Sequence, residues 1–151
     1  MGPVISVQVL LSPEPFDPYS LLAIWSADHP AAAESHFIGR VRPVTGANQQ
    51  LDALELEHYP GMAERQLQQL ATTQAQHHGV KAVLVQHRVG LITPKAAIVL
   101  VAVAADRRGP AQRCCQALLE ALKHDAPFWK REWSAGVGTW VQGNTPLGDG
   151  G

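Results

Sequence analysis

Ten consecutive residues, Ala96 to Ala105 (AAIVLVAVAA), carry no polar side chain, and they limit the folds open to this chain more than any other segment. The run is about half the length of a membrane-crossing helix. Its β-branched residues favour a strand over Ala96 to Ala104, and a strand without polar alternation needs cover on both faces. A buried central strand is therefore the element around which the rest must be arranged.

The remaining segments mix helices and strands without strict alternation. Val4 to Leu10 reads as a first strand, and Ser20 can cap a short helix to about Ala27. Glu34 to Arg42 reads as a strand with Gly39 inside it, and Leu51 to Tyr59 alternates like a half-buried one. Met62 to His78 has helical apolar spacing and ends at Gly79. Val80 to His87 is a further strand, and Pro110 opens a helix to about Lys123. Phe128 to Trp133 and Thr139 to Val141 form a terminal hairpin. This order predicts an α+β class in a single compact domain over residues 1–142, followed by a glycine-containing tail over 143–151.

Charge narrows the function. The chain has 12 Lys+Arg against 13 Asp+Glu, a net charge of -1, so a dedicated nucleic-acid binder is disfavoured. Cys114 and Cys115 are helical neighbours that point apart, and two thiols cannot complete a zinc site. The first residues lack the positive segment of a signal peptide, so a cytoplasmic protein with no membrane span is expected.

The most informative segment runs from Lys123 to Glu132. Pro127 must stop the helix at or before Ala126, leaving Lys123 at a helix end and Lys130 on the strand that follows. A chain reversal between them lets both amines converge. The helix dipole favours the charged form of Lys123. Lys130, among Phe128, Trp129 and Trp133 and beside Arg131, should have its ammonium form disfavoured by desolvation and like charge. Alternation puts Arg40 and Arg42 on one side of their strand and Val41 on the other. Arg107 and Arg108 stand just before the Pro110 helix, where arginines and helix amides suit an anion. If the three clusters meet in one cleft, they describe a pocket for a small anionic substrate. His58, His77, His78 and His87 have no partner at metal-ligand spacing, so structural roles are expected for them.

Four blocks occur in a characteristic order: Phe37 to Arg42 (FIGRVR), Leu56 to Met62 (LEHYPGM), Gln86 to Gly90 (QHRVG) and Leu122 to Glu132 (LKHDAPFWKRE). From about Val4 to Val141 the chain resembles the large subunit of molybdopterin synthase. The resemblance implies an α/β hammerhead with an additional antiparallel β subdomain, assembled as a homodimer within a heterotetramer. It implies a small ubiquitin-like sulfur-carrier partner whose C-terminal thiocarboxylate supplies sulfur to cyclic pyranopterin monophosphate, with no permanently bound cofactor. By position, Lys123 and Lys130 match the family's active-site lysines. The first would handle acid–base or acyl chemistry, and the second would stabilise developing negative charge. Arg42 and Arg108 match phosphate-binding arginines, and Arg40, Val41, Arg131 and Glu132 lie in the same motifs. Three departures stand out: Arg107 where the family usually has histidine, Leu91 where it tends to have an acidic residue, and Asn144 where some relatives carry arginine. The alternative reading is a non-catalytic dimeric module that binds the carrier's Gly-Gly tail. This chain itself ends Gly150-Gly151, a sequence such a groove could accept. An RNA-binding module stacking bases on Trp129, Trp133 and Trp140 is a third reading, which the charge balance disfavours.

Overall fold

The computed structural model describes residues 4–141, so the predicted tail and its boundary lie outside the described residues. The apolar run forms β6 (Ala97–Ala105), flanked by β4 (Ala82–Arg88) and β2 (Ala33–Arg40), both antiparallel to it. At one edge β1 (Ser6–Ser12) pairs parallel with β4, completing a first sheet in the order β1-β4-β6-β2.

Both faces of β6 are covered, as its composition requires. Val99, Val101 and Val103, with Val83 and Val85 of β4, face Ala71 and Ala75 of α2 (Met62–His78) and Cys114 and Leu118 of α3 (Arg108–Asp125). The intervening residues Leu100, Ala102 and Ala104 face Trp25, Leu21 and Leu22 of α1 (Pro18–Asp28). The α1 cap is Asp17 and not Ser20. Its carboxylate accepts from the Tyr19 N–H at 3.0 Å and the Ser20 hydroxyl at 2.8 Å, and Pro18 suits the first turn.

A second, wholly antiparallel sheet runs β5 (Gly90–Ile92), β3 (Ala53–Glu57), β7 (Trp129–Ser134), β8 (Val137–Val141). This is the antiparallel subdomain expected, enlarged by β5, which the sequence reading did not include. Gly90 at φ 81 turns the chain from β4 of the first sheet straight into β5 of the second. One face of this sheet packs Leu54, Leu56 and Ile92 onto Val41, Leu51 and Phe128. The opposite face carries Glu55, Arg131, Trp133 and Trp140.

The helix leading to the lysines is longer than expected at both ends, starting at Arg108 and ending at Asp125. Its stop is where Pro127 puts it: Ala126 is already extended, at φ -66 and ψ 136. Three residues later the chain is in β7, crossing from one sheet to the other.

Candidate active site

Lys123 lies in the last turn of α3, and Lys130 is the second residue of β7. Burial is the main cause holding the Lys130 amine below the usual lysine range, and the Lys123 charge adds to it. The two amines are thus electrostatic neighbours across the Pro127 bend. The like charge acting on Lys130 comes from Lys123, not from Arg131 as its sequence position suggested.

Beneath the lysines sits an aromatic stack. The Phe128 ring packs on the His87 ring with centroids 4.5 Å apart, and His58 meets the same phenyl edge-on at 6.5 Å. His87 ends the run Val83, Val85, His87 on the α3-facing side of β4, and it is 8% exposed. Its Nδ1 is 2.8 Å from the Arg88 carbonyl oxygen. A carbonyl only accepts, so Nδ1 carries the proton and Nε2 keeps a lone pair. Burial pushes this imidazole down to about 4, the Arg88 carbonyl opposes that, and the Lys130 charge reinforces it. His87 is the residue the sequence reading undervalued. The signal was the alternation from Val83, which aims it at the lysine end of α3.

The structure brings only part of the predicted set to this point. Val41 is buried in the same small core as Phe128, its N–H bonded to the Ala96 carbonyl at 3.0 Å. Arg40 and Arg42 are exposed on either side of it, but β2 ends at Arg40 with a register shift after Gly39, so strand alternation does not extend through Val41 and Arg42. Arg40 faces α1: after the Ser20 and Tyr19 hydrogen bonds, its charge also helps hold the Asp17 carboxyl low. Glu132 shares the inward face of β7 with Lys130, and its Oε1 accepts from the Gly46 N–H at 3.2 Å, pinning the loop after Arg42.

Two expectations are corrected. Arg131 points to the opposite face of the sheet from Lys130. There it bonds Glu55 at 2.8 Å and Glu57 at 3.3 Å, with its guanidinium 4.8 Å from the Trp133 ring centroid and 4.5 Å from that of Trp140. Arg107 and Arg108 are the N-cap and first residue of α3, whose last turn holds Lys123. At 1.5 Å rise per residue, about 22 Å of straight helix separates Arg108 from Lys123. The three cationic clusters therefore do not share one cleft within a single chain.

Two open recesses of about 490 and 710 Å³ run along α2, lined by residues such as Arg65, Gln69 and Thr73. Neither includes a lysine of the pair. Among the described residues no three His, Cys, Asp or Glu side chains are grouped to hold a metal ion. None of the described helices is long and apolar enough to cross a membrane.

Comparison with known proteins fits this arrangement. The chain is 40% identical over 127 residues to the molybdopterin synthase catalytic subunit of Ralstonia nicotianae, covering 83% of this chain and 72% of that protein. It is 40% identical over 137 residues to the molybdopterin synthase catalytic subunit of Cereibacter sphaeroides, covering 89% and 91% respectively. The solved structure of molybdopterin cofactor biosynthesis protein E from Burkholderia multivorans superposes with a TM-score of 0.77 at 35% identity, covering 93% of this chain and 90% of that one. Residues 11–125 match the family model described as MoaE protein, and the chain belongs to that family.

Proposed function

We propose that the chain is the catalytic subunit of a molybdopterin synthase, transferring sulfur from the C-terminal thiocarboxylate of a small ubiquitin-like carrier to cyclic pyranopterin monophosphate. The observation that carries this reading is the half-buried Lys130 amine beside Lys123 at the Pro127 bend. The relatives' names, catalytic subunits of molybdopterin synthase, support a synthase built from more than one subunit. In this reading Lys123 handles the acid–base or acyl chemistry of the carrier tail, and Lys130 stabilises negative charge developing on substrate or tail. No resident cofactor is invoked, because the transferred sulfur arrives on the carrier. The reaction takes place in the cytoplasm.

The distance along α3 supports a homodimer with composite sites. Arg108 can reach a substrate held by Lys123 only if it comes from another copy, and a two-fold axis would create two such sites. Two carriers on that dimer make the heterotetramer. Arg42, next to buried Val41, is the phosphate ligand assigned to the lysine side, whereas Arg40 faces α1.

The test is conversion of the cyclic precursor by purified protein and thiocarboxylated carrier. Molybdopterin formation supports the reading, and wild-type protein that binds carrier yet makes no product refutes it. That second outcome is what a non-catalytic receptor for the carrier tail predicts. The specific observation favouring a receptor is Arg107 at the α3 N-cap, where the family resemblance implies a histidine and this chain carries a guanidinium.

A further inference from the structure

We infer that His87 is a positioning residue for Lys130, a neutral imidazole whose Nε2 lone pair faces the amine and holds it in its ammonium form. This deepens the proposed function, since it rests on Lys130 acting as a cation toward developing negative charge. Three geometric facts carry it. The 2.8 Å contact from Nδ1 to the Arg88 carbonyl fixes the tautomer, so the lone pair is at the ring tip, away from its own backbone. The Phe128 ring, 4.5 Å away, fixes the plane of the imidazole and belongs to the same short segment as Lys130. The Val83, Val85, His87 alternation puts the ring on the face of β4 that meets the lysine end of α3.

The electrostatic setting explains why such a partner is useful. Burial and the Lys123 charge both work against the Lys130 ammonium. A hydrogen bond to the charged form works the other way. A protonated imidazole would add a third cation, but burial keeps His87 neutral. The other charged or titratable groups packed around the pair are Lys123 on α3, His58 after β3, Arg88 on β4 and Glu132 on β7. Arg88 turns away to the carbonyls of Pro13 and Leu91 at 3.3 and 3.1 Å, and Glu132 is engaged with Gly46. A neutral acceptor from β4 thus supports the ammonium without creating a buried anion.

The experiment compares His87→Gln, which keeps an acceptor near the Nε2 position, with His87→Asn, which keeps a donor near the Nδ1 position. In protein carrying ¹³C-labelled lysine, the Lys130 signal is assigned with Lys130→Arg and titrated. His87→Asn should lower the Lys130 midpoint by about one pH unit, the size of one hydrogen bond to a charged group. His87→Gln should leave it near the wild-type value. The alkaline limb of the conversion rate should move the same way, with kcat falling more than KM rises. An unchanged midpoint in His87→Asn, or one that falls in His87→Gln alone, overturns the inference and leaves His87 a packing residue. If the variants do not fold, ¹⁵N spectra of the wild-type imidazole decide: an Nδ1–H tautomer whose Nε2 signal shifts as Lys130 titrates supports it, and an Nε2–H tautomer ends it. Failure of the proposed reaction is a separate result, visible as absent conversion by the wild type while the titrations remain readable.

Discussion

Lys130 is defined by what surrounds it more than by its own type. Replacing Lys123 by methionine removes a neighbouring positive charge, so the Lys130 pKa should rise, and an NMR titration of the wild type and variant checks the direction. Lys123→Ala should abolish conversion while leaving the circular dichroism spectrum and melting temperature near wild type, because the side chain is only half buried. His87 makes a stability prediction with a definite sign. Its folded pKa of about 4 lies below the ordinary histidine value of 6.5, so the unfolded chain binds more protons between those values. Stability should therefore be fully present above about pH 6.5 and fall as the solution is acidified toward pH 4, by on the order of 3 kcal/mol. Denaturant melts across that range should show this slope in the wild type and a flatter one in His87→Gln. The lysine pair was legible in the sequence, and His87 was not. Desolvation of Lys130 could be read from its aromatic neighbours and the approach of Lys123 from the Pro127 bend, but His87 lies forty-one residues before Phe128 and meets it only where the two sheets join.

Element by element, the strongest local signals held and the weak ones moved. The α2 helix spans Met62–His78 as its periodicity predicts, and Gly79 ends it in the left-handed region at φ 64. Gly79→Ala should cost about 1 kcal/mol in a urea melt, because alanine resists that conformation and nothing else lies near its Cβ. Leu118, fully buried between α3 and the first sheet, should cost about 3 kcal/mol when cut to alanine. The Pro127 stop was readable because proline acts on the residue before it whatever the tertiary context. The three-residue strand β5 was not, since its extended geometry comes from pairing with β3 and from one glycine, neither of which leaves a period in the sequence. The start of α3 at Arg108 was missed for a related reason: proline at a first turn marks where a helix can begin and does not forbid residues ahead of it.

The whole molecule sets the strongest constraint on how the site works. The body of α3 was visible in the sequence, but a helix that begins at Arg108 and so holds its arginines and its lysine at opposite ends is a property of the packed fold. Complementation between two inactive proteins tests the composite site proposed above. Arg108→Ala and Lys123→Ala dimers, mixed and allowed to exchange subunits, should recover about a quarter of wild-type conversion, since half the dimers become mixed and each has one intact site. Two damaged proteins that stay inactive after exchange would return the arginines and the lysines to separate duties. The chain also passes between the two sheets five times, at the connections β2–β3, β3–α2, β4–β5, β5–β6 and α3–β7. With so many threads stitched through one seam, neither layer can be excised, exchanged or inherited as a module. The two lysine amines sit on opposite banks of that seam, so they are neighbours only while the halves stay laced together.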